Sequence, residues 1–264
     1  MLSPEDSHSK AVLSMTHWVA AIADNIRNPL AGMAAALDIV ARELDQRRQS
    51  GVCDETLVND ACQRMRRRFV SLNEYINELV DFGKPLVLSP RSMNLYDWLK
   101  TILDTETKEG HPEDSNLGIL TVHRGRLSLY LEDGVQGAHV TWDAPRMGRA
   151  VRTLITNGIE AVVGQANPQV QVIVEEIRSG LSIQYAIHVD DNGPGFDPGL
   201  GDRVLEPFFS TKEAGTGLGL AIARKYTEAH GGVLSLGRAP SLRGARVTIL
   251  MPSVVNGRIS AESQ

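Results

Sequence analysis

The chain has 264 residues, a net charge of −5, 42% hydrophobic residues and 22% charged residues, which is room for one or two globular domains, each with its own core. The modest negative charge gives no overall reason to expect a nucleic acid partner. No run approaches the roughly 20 apolar residues of a membrane span, and the opening MLSPEDSHSK lacks the apolar core of a signal peptide. Cys53 and Cys62 match neither a metal knuckle nor a disulfide framework, so a reducing cytoplasm is the expected setting.

In chain order, the first signal is helical. Apolar residues at Val12, Met15, Val19, Ile22, Ile26, Met33, Leu37, Val40 and Leu44 mostly step by three or four, with Pro29 and Leu30 filling the longer gap. A second series, Val58, Cys62, Met65, Phe69, Leu72, Ile76 and Leu79, alternates four and three throughout. These are heptad seams, and the short break at SGVCD between them predicts an antiparallel helical hairpin. A lone hairpin leaves both seams half exposed to water. A homodimer closing a four-helix bundle would bury them. Pro29 lies inside the first helix, where a kink or a loosened turn is expected. Four arginines, Arg64, Arg66, Arg67 and Arg68, make the second helix basic, either as a solvated face or as a docking surface for an acidic partner.

Two prolines in GKPLVLSPR then break the pattern, predicting a linker over residues 84–92 between a first domain of residues 1–83 and a second of residues 93–253. Within the second domain, helices are predicted over 95–103 and 145–163, and strands over 170–177, 181–189 and 245–251. Mixed helices and strands point to an α/β sandwich with one layer of each. Residues 254–264 are polar and are expected to form a mobile tail.

The chemistry concentrates in DDNGPGFDPGLGDRVLEPFFSTKEAGTGLGLA. Asp191 precedes Gly193 and Gly195; a Phe pair follows at Phe208 and Phe209; then Gly215, Thr216, Gly217, Leu218 and Gly219 run into a helix. Glycine permits positive φ and close backbone approach, and the free N–H groups of a helix N-terminus attract phosphate. A Gly-rich turn before a helix is by itself usually only a turn. The three elements in this order describe a nucleotide phosphate site.

These motifs resemble the sensor histidine kinases of two-component signalling, and the resemblance runs over nearly the whole chain. Asn157 in LITNGIEA is similar to the Asn that holds Mg²⁺ against the phosphates, and Asp191 in DNGPG to the Asp that binds the adenine amino group. Phe208 and Phe209 in EPFFSTK resemble the box of the mobile lid, and Gly215 to Gly219 the second glycine box. Lys212 is a candidate phosphate contact, and Thr248 in GARVTILMP is assigned to the adenine. The resemblance implies a dimerisation and phosphotransfer hairpin followed by an ATP-binding sandwich of the Bergerat (GHKL) type. It also implies ATP and Mg²⁺ as ligands, and a response regulator or a partner histidine kinase as the protein partner. Glu160 is a candidate for ordering a water beside the metal, and His230 in EAHGG for a structural cap at a helix end.

The pattern departs from that family in helix one, which carries ADNIRNPLAG. Asp24 stands where the phosphate-accepting His belongs, and Asn25 where its acidic neighbour belongs. A carboxylate is a poorer nucleophile than imidazole toward phosphorus, although carboxylates do form acyl phosphates, and an amide side chain cannot act as a base. Asn28 keeps the position that orients water in phosphatase action among relatives. His17, one heptad before Asp24 and about 10 Å away along the axis, shares its face and is an alternative acceptor. Thr153, one turn before Asn157, replaces the Asn, Gln or Glu that relatives place there. A working kinase and a nucleotide-dependent regulator of a partner kinase or response regulator both remain open on these residues.

Overall fold

The structure, a computed structural model, describes residues 4–106, 126–131, 135–180, 182–212 and 215–254. The chain divides into two compact units, one comprising Met1–Lys84 with Pro207–Leu218 and the other Pro85–Glu206 with Gly219–Gln264.

The first unit contains α1 (Pro4–Ser50) and α2 (Glu55–Gly83). The break between them is tight because three local devices coincide. Gly51 takes φ +75° and its N–H donates to the Arg47 carbonyl at 2.9 Å, closing the last turn of α1 as a left-handed glycine cap. The Asp54 carboxylate then caps α2 by accepting from the Leu57 N–H at 3.0 Å, while the Asp54 N–H donates to Glu43 Oε2 at 3.0 Å. Helix α1 continues through Pro29. Beyond it the Arg68 side chain of α2 lies directly over Gly32, where any Cβ would collide with the guanidinium. Small and aromatic residues close the contact, with Ala36, Ala61 and Tyr75 buried. Much of the heptad seam stays open in a single chain: Val19, Leu37 and Phe69 are 58–62% exposed.

The second unit begins with a two-stranded antiparallel ribbon, β1 (Arg91–Asn94) against β3 (His139–Trp142), flanked by α3 (Leu95–Glu106). Its main sheet comprises β2 (Arg126–Leu131), β4 (Gln169–Ser179), β5 (Ser182–Asp191), β6 (Val233–Arg238) and β7 (Ala245–Pro252), in the order β2-β4-β5-β7-β6. Strand β2 runs parallel to β4 and the other neighbours are antiparallel. Strict alternation along β4 and β7 sends Val170, Val172, Val174, Val247, Ile249 and Met251 to one buried face. Helices α4 (Ala144–Ala161) and α5 (Gly219–Ala229) supply Met147, Val151, Leu154, Ile155 and Ile222 to the same core. Trp142 is fully buried, donates its indole N–H to the Pro252 carbonyl at 2.7 Å, and meets Trp98 edge-on at 5.8 Å.

Helices and a mixed sheet of this kind fit the GHKL ATPase α/β fold. The three sequence-predicted strands and the helices predicted near 95–103 and 145–163 are present. Strands β1, β2, β3 and β6 were not anticipated, and β1 already starts at Arg91 inside the predicted linker. Of the predicted tail only Val254 is described, paired with Thr141 in an isolated bridge; residues 255–264 lie outside the described residues.

Candidate nucleotide site

Strand β5 ends on Asp191, and that end is shaped by backbone donors. Asp191 Oδ1 accepts from the Gly193 N–H at 2.8 Å and from the Ala245 N–H at 3.1 Å. Both bonds converge on one oxygen, and no described residue donates to Oδ2, which is left for a donor from outside. Asp191 is 6% exposed, and burial pushes its carboxyl above the usual range; the Ala245 and Gly193 amides pull it back, while neighbouring Asp190 pushes with burial. The turn beyond is pinned by Asn192, whose Nδ2 donates to the Asn167 carbonyl at 2.7 Å and whose Oδ1 accepts from the Gln169 N–H at 2.9 Å. Gly193 lies so close to α4 that a Cβ would stand 2.7 Å from the Ala161 carbonyl oxygen, and Gly195 adopts φ +78°. Gly244 is equally constrained: a Cβ there would strike the backbone and side-chain oxygens of Asp191.

Helix α4 is capped by Asp143, whose carboxylate accepts from the Arg146 N–H, and Pro145 sits in its first turn, both common start signals. Its apolar stripe is buried, which leaves Asn157 half-buried near the C-terminal end. The next residue, Gly158, touches Val170 and the Asp191 Cβ at 3.2 and 3.7 Å from its would-be Cβ. Asn157 is thereby held beside the end of β5. One turn earlier, Thr153 meets the first residue of α5, with its Cγ2 only 3.0 Å from a Cβ built on Gly219. Thr153 and the N-terminus of α5 therefore meet, with Asn157 one turn further along α4; a helix N-terminus is in general a place where anions bind. Glu160 is exposed on the last turn of α4.

The remaining sequence-assigned residues, Lys212, Gly215, Thr216, Gly217 and Leu218 with Phe208 and Phe209, belong to the other unit. Phe208 takes φ +66°, and its N–H donates to the Gly217 carbonyl at 2.9 Å. Its ring packs between Trp18 at 5.8 Å and Phe82 at 6.2 Å. Gly217 has φ +65°, and a Cβ there would strike the Phe208 and Phe209 backbone. Thr216 Oγ1 donates to Glu78 Oε2 at 2.8 Å and accepts from the Leu218 N–H at 3.2 Å.

On α1, Asp24 is exposed and ion-paired with Arg27 at 3.3 Å. Asn25 is half-buried beside Tyr75, whose phenol is pushed up by burial with Asn25 pulling the other way. Asn28 is exposed. His17 lies in α1, and its side chain is outside the described residues.

One assignment needs correction. Thr248 pairs in register with His188, and its hydroxyl shares a 2.8 Å hydrogen bond with His188 Nδ1. Side chains alternate along a strand, so Thr248 and His188 face away from Asp191, on the side where Arg246 grips Asp190 through two bonds of 2.7 and 2.8 Å. The residue of β7 that reaches Asp191 is Ala245, through its backbone. The sequence carried a signal for it, since Gly244-Ala245 opens the strand directly after a turn, but a backbone contact leaves no side-chain signature. His230 behaves as the predicted structural cap: it is buried, with Nδ1 2.6 Å from the Tyr226 carbonyl.

Residues 142–255 match the family described as histidine kinase-, DNA gyrase B- and HSP90-like ATPases. The chain is 26% identical over 243 residues to the sensor histidine kinase ZraS of Salmonella typhi, covering 92% of this chain and 47% of that protein. It is 28% identical over 236 residues to the sensory histidine kinase/phosphatase NtrB of Rhodobacter capsulatus, covering 86% of this chain and 60% of that protein. The chain thus spans about half the length of curated relatives it matches. Among solved structures, histidine kinase ThkA in complex with response regulator protein TrrA matches with a TM-score of 0.61 at 19% identity, over 95% of this chain and 65% of that one. Full-length ShkA in complex with AMPPNP matches with a TM-score of 0.58 at 17% identity, over 89% and 45%; both likenesses speak for the fold. Residues 142–255 therefore form a domain similar to the ATPases of that family, and the chain as a whole is similar to sensor histidine kinases. Among the described residues, no helix is long and apolar enough to cross a membrane.

Proposed function

We propose that the chain is an ATP-binding signalling protein of the histidine kinase type, acting in a two-component phosphorelay, with its donor site in the second unit and no histidine at the usual acceptor position of α1. The observation that carries the reading is the buried Asp191 carboxylate. Both of its backbone donors are gathered on Oδ1, which among the described residues leaves Oδ2 to accept from an exocyclic amine. The adenine amino group supplies such a donor, and the phosphates suit the α5 end. Asn157 is the residue to hold Mg²⁺, which takes oxygen ligands, retains waters and draws its other ligands from phosphate; a single half-buried amide fits that donor set. When bound, the ion neutralises charge on the phosphates. The lid residues Lys212 and Gly215 to Leu218 keep the phosphate role the sequence assigns them, and Thr248 is withdrawn from it.

On the acceptor side, Asp24 is ion-paired with Arg27 at the surface, and Asn25 has no basic group with which to take a proton. Transfer to a histidine of a partner kinase is accordingly the expected route, with a response regulator downstream and the Arg64–Arg68 face as its docking surface. The exposed Val19, Leu37 and Phe69 support a homodimer through the antiparallel helical pair, the four-helix arrangement that would cover them. A cytoplasmic setting agrees with the free Cys53 and Cys62.

The test is incubation of the purified chain with γ-labelled ATP and Mg²⁺, alone and with candidate partner kinases. Label on the partner's histidine and none on this chain is the expected result. Acid-labile label on this chain that disappears in His17→Ala, or hydroxylamine-sensitive label that disappears in Asp24→Ala, would overturn the acceptor assignment.

A further inference from the structure

The second unit holds a buried hydrogen-bond chain that neither the nucleotide site nor the core explains. It starts in the stretch joining α2 to β1. Ser89, an exposed residue of that stretch, donates its backbone N–H to Asp143 Oδ2 at 2.9 Å. Asp143 is 2% exposed. Its carboxylate also accepts from the Arg146 amide at 3.2 Å and from the Arg146 guanidinium at 2.5 Å, and so caps α4. Asp143 in turn donates its own N–H to His230 Nε2 at 3.0 Å. His230, 1% exposed at the end of α5, passes the chain on through Nδ1 to the Tyr226 carbonyl at 2.6 Å. A helix cap needs only the Arg146 amide. The Ser89 and His230 bonds are additional, and they join the incoming chain to the two helices whose other ends frame the nucleotide site: Asn157 on α4 and Gly219 on α5.

We propose that Asp143 and His230 are positioning residues, a relay through which the Ser89 stretch sets the placement of α4 and α5 at the nucleotide site; this rests on the nucleotide reading above. The geometry assigns protonation states. Nε2 accepts an amide proton, so the imidazole is neutral with its proton on Nδ1, donated to Tyr226. Adding a proton at Nε2 would set two donors face to face and break the bond to Asp143. The titratable and charged groups around His230 are Asp143 and Arg146 from the head of α4. Burial holds the imidazole below its ordinary range, with the Tyr226 carbonyl and Asp143 opposing and Arg146 reinforcing it. The relay is therefore intact near neutral pH and opens in acid.

Three forms of the full chain test this: wild type, Ser89→Pro and His230→Gln. Ser89 is exposed and precedes Pro90, where extended backbone is favoured, so Ser89→Pro removes one N–H and leaves the cap on α4. His230→Gln keeps a carbonyl acceptor for Asp143 but cannot take a proton. Amide hydrogen exchange, corrected for intrinsic rates, is followed in residues 154–160 and 219–224 without nucleotide, and the Kd of a fluorescent ATP analogue is measured alongside. In Ser89→Pro, exchange in both segments and the Kd are each expected to rise about fivefold or more, the lower end of site-to-site coupling. Wild type taken stepwise to lower pH while it stays folded is expected to reproduce the exchange change, and His230→Gln to resist it. Exchange that changes only in residues 84–92, with Kd within twofold, would overturn the relay. So would an acid response equal in wild type and His230→Gln. If wild type binds no nucleotide, the function proposed above fails, while the exchange comparison still decides the relay.

Discussion

Asp191, the residue proposed to receive adenine, carries a cost to folding. Its folded carboxyl lies above the ordinary value because burial outweighs the two amides on Oδ1. A carboxyl raised in the folded state stabilises the fold at low pH, and that contribution is lost as pH rises from its unfolded value through the folded one. At pH 7 the ionised group is therefore a burden. Asp191→Asn keeps an oxygen for the Gly193 and Ala245 amides, so thermal unfolding at pH 7 is expected to show a melting temperature equal to or above that of wild type. A drop of several degrees would contradict the assigned hydrogen bonds. Asp24 makes the complementary case on α1. Introducing the proposed acceptor chemistry as Asp24→His with Asn25→Glu is expected to produce acid-labile label from γ-labelled ATP, with Asp24→His alone labelling less because it lacks the proton acceptor. Equal labelling of the two forms would mean that the residue at position 25 takes no part in proton transfer.

At the scale of elements, glycines and caps decide where the second unit's helices and strands meet. A Cβ on Gly244 collides with both the carbonyl and the carboxylate of Asp191, so Gly244→Ala is expected to destabilise the unit by about 2 kcal/mol, in the range of overpacking, and to weaken nucleotide binding, as measured by denaturant unfolding and titration. Neutral stability would mean that β7 and β5 do not approach as closely as described. The Asp143–His230 pair predicts a pH signature. His230 has a lowered folded value, so its stabilising effect is complete above the ordinary imidazole value of about 6.5 and falls as pH drops toward the folded value. Melting temperature should thus decline below about pH 6.5, and His230→Gln should flatten that decline. Much of this was legible in the sequence. The strands around Val172, Ile187 and Ile249 announce themselves by alternation or by an apolar run, and the loop at residues 51–54 by its Gly and Asp. Strands β1 and β3, four residues each, are too short to show a period, and their pairing is non-local. Thr248 was misplaced for a related reason: motif order puts it near Asp191, but only the strand register tells which face it occupies, and a shift of one residue reverses the face.

On the scale of the whole molecule, the two units carry different kinds of incompleteness. The second buries a continuous core between its sheet and helices. In the first, Val19, Leu37 and Phe69 remain 58–62% exposed on a heptad seam that a second copy would close. Sedimentation is expected to show a dimer, and Leu37→Glu with Phe69→Glu to give a monomer that still binds nucleotide through the second unit. A monomeric wild type would contradict the bundle. The sequence made the seam visible through its three-four spacing, and the proposal that Asp24 stands in for a histidine rests on the IRNPL context around it. What it hid was the traffic of the chain through Ser89, since a backbone N–H has no letter of its own. In the proposed function, ATP binds through Asp191. Isothermal titration of the full chain with ATP and Mg²⁺ tests it most directly. The expected result is saturable micromolar binding that weakens at least tenfold in Asp191→Asn, the loss of one hydrogen bond to a charged group. Absence of binding at millimolar ATP, or equal binding by Asp191→Asn, would contradict it.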